Sequence, residues 1–242
     1  MPYLFVKELA KMITRISRRY TMQVNLLAYT PNPVQVIETA AAKCYDSKPS
    51  EDGKIMLACY RSGHHSVLEH VTFSFEITGV SRALLAQLTR HRPFSFSVRS
   101  QRYCDESSMK TVVPRTVSNS DVALGIYNST IDYIAGSYKL LKSLGIPNED
   151  ARSILPNSCE TELVATTNLR ELVHFCNLRL CSRAQEEIRE LAKAMRDLVV
   201  EVMPKAKTML VPKCEIYAPY CFCVEHSCCG KHPKLKDIYN KD

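Results

Sequence analysis

Apolar positions recur at two periods along this 242-residue chain, and the switches between them mark its elements. At 22–29, MQVNLLAY alternates, with Val24, Leu26 and Ala28 on one face, which predicts a strand. Residues 33–45 change to helical spacing, with Val36, Ile37, Ala40, Ala41 and Cys44 at turn intervals. The stretch IMLACYRSGHHSVLEHVTFSFEITGV passes from a short helix through a Gly-His loop into a second strand. On that strand Val71, Phe73, Phe75 and Ile77 alternate. SRALLAQLTRHR is helical again, whereas residues 90–103, RHRPFSFSVRSQRY, show neither period and are expected to be loop. Residues 121–144 form an amphipathic helix on Leu124, Tyr127, Ile131, Ile134, Tyr138 and Leu141, stopped by Gly145 and Pro147. A long helical region fills 160–203, up to Pro204. With no repeat and no low-complexity linker, one α+β domain is the economical architecture.

Two ends stand apart from that pattern. Residues 1–21 are basic and amphipathic ahead of a second methionine. They read as a short docking helix, a membrane-surface helix or translation from an upstream start codon. Residues 213–242 are rich in cysteine, which leaves 22–212 as the body of the domain.

Charge narrows the partners. The net charge is +7, suited to ligands that carry phosphates or carboxylates, whether nucleic acid or small polyanions. No apolar run near the start is long enough for a signal peptide, and none anywhere spans a bilayer. Six of the eleven cysteines are scattered from Cys44 to Cys181 and five crowd into 214–229. That distribution fits a cytoplasmic protein with reduced thiols rather than a secreted disulfide scaffold.

The densest chemistry lies in the expected loop. Arg90, Arg92, Arg99 and Arg102 cannot act as bases, since guanidinium stays protonated. Their use is bidentate binding of phosphate, carboxylate or a developing anion. Ser95, Ser97, Ser100 and Gln101 add neutral donors. A solvated basic loop is the bland alternative, weakened by His91 between two arginines just after an apolar helix. A second concentration, NLRELVHFCNLRLCSRAQEEIR at 168–189, sets Arg170 and His174 on one helix face, and Arg179 and Arg183 on another. Arg170 and Arg179 are nine apart and therefore roughly opposed at ~100° per residue. Either the helix breaks between them or each serves a different site. Glu186, Glu187 and Arg189 read as surface pairs.

RHR followed seven residues later by Ser100 resembles the signature of the flavin-dependent thymidylate synthases, and SQRY continues it. GHHSVLEH at 63–70, EDARSILP at 149–156 and the 168–189 block resemble three further family segments, in order, so the likeness covers roughly 22–235. The resemblance implies mixed helices around a small antiparallel-rich sheet. It implies reductive methylation of dUMP to dTMP, with the carbon from methylenetetrahydrofolate and reducing equivalents from NADPH through FAD. It also implies a homotetramer whose sites combine residues of several chains.

Residue by residue, Arg179 matches the arginine that activates the uracil ring. Gln87, Arg90, Ser100, Gln101, Arg102 and Arg152 match nucleotide-binding positions, with Arg102 and Arg152 as phosphate clamps. Ser66, Arg90, His91, Arg92, Asn168, Arg170 and His174 match flavin contacts. His64 matches a histidine near flavin and folate, and Glu69 follows in the same loop. The chain departs from the family at Ser97-Val98, where many relatives have Asn-Glu. It departs again at His174, where Asn is common, and at Arg183, where many carry His. No cysteine nucleophile is implied.

The terminal stretch CEIYAPYCFCVEHSCCGKH lacks the Cys-x-x-Cys pairs of standard zinc sites, so reduced surface cysteines are the expectation. Cys221, Cys223, Cys228 and Cys229 are the zinc candidates. A basic, zinc-stapled nucleic-acid-binding protein is the alternative function, although Trp is absent. A thiol redox protein would want a Cys-x-x-Cys pair.

Overall fold

The structure, a computed structural model, describes residues 22–239. The basic extension 1–21 and the helix expected there lie outside the described residues. In chain order the labelled elements are β1 (Gln23–Tyr29), α1 (Pro33–Cys44), α2 (Lys54–Arg61), β2 (Thr72–Ser81), α3 (Arg82–Leu88) and β3 (Ser95–Val98). There follow α4 (Asp121–Ser143), β4 (Glu160–Asn168), α5 (Leu169–Arg179), α6 (Glu186–Val202) and the short α7 (Leu235–Tyr239). A 3-10 segment, His65–His70, precedes β2.

The four strands make one sheet in the order β1-β2-β4-β3. β2 and β4 run antiparallel: Leu169 donates to the Val71 carbonyl at 2.8 Å, and Arg82 donates to the Cys159 carbonyl at 2.9 Å. Two compact units divide the chain. One takes Met22, 78–85 and 98–162; the other takes 23–77, 86–97 and 163–239.

In the second unit the expected alternation of β2 buries Val71, Phe73, Phe75 and Ile77 completely. α6 buries Ile188, Leu191, Met195 and Val199 at turn spacing, and α5 buries Leu172, Val173, Phe175 and Cys176. Glu38 of α1 is also fully buried, because its carboxylate accepts the backbone N–H groups of Ser50 and Met56 at 3.1 and 2.8 Å. It thereby satisfies an orphan donor at the start of α2. In the first unit α4 buries Tyr138 alone, whose hydroxyl accepts the Glu106 N–H at 3.3 Å. The helix begins on Ser120, which accepts from the Ala123 N–H, and ends at Gly145, whose φ of 83° suits only glycine without strain.

Three expectations are corrected. The helical region over 160–203 is a strand, a helix, a break at 180–185 and a second helix. Glu160–Asn168 alternates Thr161, Leu163, Ala165 and Thr167 inward, and the two threonines disguise the apolar face. Within the expected loop 90–103, Ser95–Val98 is a strand, with Phe96 and Val98 turned partly inward. Glu187 is buried rather than part of a surface pair.

Candidate active site

The turn after α3 is built by backbone bonds from Arg90 to Gln87 at 3.3 Å and from His91 to Leu88 at 3.0 Å. With Leu88 anchored in the core, this turn swings His91 inward and leaves Arg90 and Arg92 exposed. Opposite lies α5, entered through Asn168, whose Oδ1 accepts the Glu171 N–H at 2.9 Å. That cap sets the helix phase so that Glu171, His174, Leu178 and Arg179 face the turn. Together with Arg90, His91, Arg92 and Pro93 they line a cleft of about 310 Å³.

His91 organises the cleft. Its ring packs edge-on against Phe175, 4.9 Å between centroids, and lies 5.9 Å from both Phe94 and His174. Its Nε2 accepts the Arg179 Nε–H at 3.1 Å. An acceptor nitrogen bears no proton, so neutral His91 carries its hydrogen on Nδ1, facing Glu171 Oε1 at 3.5 Å. Burial, then Arg179 and His174, push the His91 pKa down to about 4, so the ring is neutral at working pH. Burial raises the Glu171 carboxyl, offset in part by His174 and Arg170.

Arg179 is half-buried at the end of α5. Burial and then the nearby Arg90 lower its pKa, yet a guanidinium remains charged there. Its Nη2 reaches the Gln87 carbonyl at 3.5 Å. Gln87 itself donates through Nε2 to Gln185. Among the described residues neither Arg90 nor Arg92 meets a carboxylate. The cleft thus sets three guanidinium groups, of Arg90, Arg92 and Arg179, against the one carboxylate of Glu171, an excess of positive charge that suits an anion.

Arg170 pairs with Glu69 in the His65–His70 segment. α5 is continuous from Leu169 to Arg179, so the opposed arginines address different places and no break separates them. Ser66 is exposed in the same 3-10 segment. His64 is exposed just before it and meets the Tyr45 hydroxyl at 3.4 Å.

The other unit holds the remaining sequence-selected residues. Ser100 Oγ accepts the Arg102 N–H at 3.2 Å. Arg102 donates to one Glu149 carboxylate oxygen from Nε at 3.1 Å and Nη2 at 2.9 Å, and Arg152 Nε donates to the Glu149 carbonyl at 3.1 Å. Gln101 is buried with its Nε2 unpartnered among the described residues, a donor that awaits an acceptor.

Glu149, Glu171, Phe94 and Phe175 escaped the sequence reading as site residues. Asn-x-x-Glu at 168–171 is a helix-start pattern that could have drawn attention to Glu171.

Of the four zinc candidates, Cys223, Cys228 and Cys229 line a second cavity, of about 270 Å³, with Cys214 and His232. Cys221 is not among its lining residues.

Comparison with known proteins places this arrangement. A family described as "Thymidylate synthase complementing protein" matches residues 25–205. The chain is 38% identical over 233 residues to the flavin-dependent thymidylate synthase of Geobacter sulfurreducens, covering 91% of this chain and 99% of that one. It is 37% identical over 218 residues to the protein of the same name from Pyrococcus horikoshii, covering 83% and 89%. A crystal structure of thymidylate synthase X from Helicobacter pylori with FAD and dUMP superposes with a TM-score of 0.60 and 30% identity, over 73% of this chain and 92% of that one. The chain therefore belongs to the thymidylate synthase complementing protein family, that of the flavin-dependent thymidylate synthases.

Proposed function

We propose that this chain converts dUMP, methylenetetrahydrofolate, NADPH and a proton into dTMP, tetrahydrofolate and NADP+, with FAD as its cofactor. The observation that carries the reading is the Arg179 guanidinium, oriented by a neutral His91 in a cleft whose arginines outnumber its one carboxylate. A permanent cation beside the N3–O2 edge of uracil favours the deprotonated ring and so raises nucleophilicity at C5. His91 takes Nε of Arg179 and the Gln87 carbonyl takes Nη2, which leaves Nη1 to face a ligand.

The same cleft suits part of the flavin. Arg90 and Arg92 suit its pyrophosphate, and His174, at the rim, suits its ring edge. Asn168 and Arg170 belong to the same binding set, as does Ser66 of the His65–His70 segment, whose Glu69 pairs with Arg170. When bound, FAD supplies the redox chemistry, while the protein binds, orients and sets the field. Gln101 Nε2, buried and unpartnered, suits a nucleotide oxygen, and Gln87 and Ser100 complete the neutral donors. Arg102 and Arg152 serve as phosphate clamps, held ready by Glu149. His64 and Glu69 lie on the folate side.

The working form is a homotetramer. α4 supports this, because Val122, Ile126, Tyr133 and Leu140 stand 62 to 78% exposed on a helix that buries a single side chain. Among the described residues no helix is long and apolar enough to cross a membrane. We place the enzyme in the cytoplasm, in keeping with its eleven free thiols. The nucleic-acid reading gains no support from these relatives. The test is chromatographic: purified protein with dUMP, methylenetetrahydrofolate, NADPH and FAD should yield dTMP, and omission of FAD from flavin-stripped protein should abolish it. Undiminished dTMP formation without flavin would overturn the reading.

A further inference from the structure

The place of Glu171 in its helix does not account for its side chain. Asn168-x-x-Glu171 opens α5 in the manner of a capping box, with Asn168 Oδ1 accepting the Glu171 N–H at 2.9 Å. In a closed box the glutamate side chain returns to the N–H of the cap residue. Among the described residues Glu171 makes no such bond, and its Oε1 stands instead 3.5 Å from His91 Nδ1.

That position is costly for a carboxylate. The Glu171 side chain is 14% exposed and that of His91 only 4%. A charge withdrawn from water needs a partner, and burial raises the Glu171 carboxyl. Arg170, the cation next to it on the helix, is engaged by Glu69. The donor atoms of His91, Glu171 and His174 all lie within 4.8 Å of one another, so the carboxylate adjoins two imidazoles.

The hydrogen on His91 decides how Arg179 can be held. Nε2 accepts the Arg179 Nε–H at 3.1 Å, which it can do only while the hydrogen sits on Nδ1. In the other tautomer an N–H would face the guanidinium, donor against donor. Which nitrogen keeps its hydrogen is set by the bond the other environment offers, and Glu171 is the one acceptor that Nδ1 meets among the described residues.

We propose that Glu171 is a positioning residue for Arg179: its carboxylate holds the hydrogen of His91 on Nδ1, so that Nε2 stays an acceptor and fixes the guanidinium with Nη1 toward the ligand. The inference rests on the proposed role of Arg179 in uracil activation, and Glu171 acts through His91 alone. A carboxylate that keeps an imidazole in its working tautomer matters more to rate than to binding.

Nitrogen-15 NMR of the histidine-labelled holoenzyme without dUMP reads the tautomer and needs no turnover. The His91 signal, assigned by its loss in His91→Asn, should show the hydrogen on Nδ1 in the wild type. Glu171→Leu keeps bulk and helix propensity but offers no oxygen, and should move His91 toward the Nε2–H form. Glu171→Gln keeps an acceptor oxygen and should keep the tautomer. In release of tritium from C5 of dUMP, kcat of Glu171→Leu should fall about 10- to 100-fold. Its KM for dUMP should change by less than about threefold, with flavin content retained, while Glu171→Gln recovers most of the rate. A merely structural glutamate would alter melting temperature or flavin content and leave the tautomer alone. Glu171→Leu with the wild-type tautomer, or Glu171→Gln as slow as Glu171→Leu, would overturn the proposal. Should Glu171→Leu fail to fold, the wild-type spectrum decides, since a hydrogen on Nε2 there contradicts it outright. A wild type that makes no dTMP would sink the assigned reaction, while the tautomer comparison would still judge Glu171.

Discussion

His91 shows how much a single ring can decide. Held at about 4 by burial and by its cationic neighbours, it is the acceptor that Arg179 requires, and a protonated ring would repel that guanidinium. In a nitrogen-15 NMR titration it should therefore stay neutral down to about pH 4, with its proton on Nδ1. A midpoint near 6.5, the ordinary value, would contradict the arrangement. The sign for stability follows from linkage: between about 6.5 and 4 the unfolded chain binds a proton that the folded one refuses. His91 thus contributes stability that is complete above pH 6.5 and lost as pH falls through that window. A second residue-scale expectation concerns Arg102. Arg102→Ala should raise the dUMP requirement more than Arg102→Lys, because Lys keeps the charge and loses only the planar fork. Steady-state KM values for the two variants check this, and equal values would remove Arg102 from phosphate binding.

At the scale of elements, the cap on α5 is the joint between sheet and site. Asn168 ends β4 and starts the helix that carries Glu171, His174 and Arg179. Asn168→Ala should cost about 1 kcal/mol in a denaturant melt, while Asn168→Asp should recover most of it. A loss within error for Asn168→Ala would mean that the Glu171 N–H finds another acceptor. Much of this layer was legible in the chain. The alternation of β2 and the turn spacing of α6 follow from aliphatic and aromatic side chains whose burial is unconditional. β4 was not legible, because Thr161 and Thr167 occupy buried positions that polarity assigns to solvent. β3 was hidden by the arginines around it. Arg179 and His91 were each reachable through a motif, but their pairing was not: tertiary packing brings them together, which no local pattern records.

For the whole molecule, the exposed apolar face of α4 is the feature that supports the proposed assembly. Light scattering should give about 110 kDa for four chains of 27.4 kDa each. Ile126→Lys combined with Tyr133→Lys should lower that mass, since two charges in a subunit interface are unpaired and desolvated. An unchanged tetramer would place the contact elsewhere. The central claim, that Arg179 activates a uracil ring in a flavin site, is tested most directly by release of tritium from C5 of labelled dUMP. With FAD, methylenetetrahydrofolate and NADPH present, the wild type should release tritium in step with dTMP. Arg179→Ala should bind FAD as before and release tritium on the order of 100-fold more slowly. Near-normal release from that variant, or none from flavin-loaded wild type, would contradict the account.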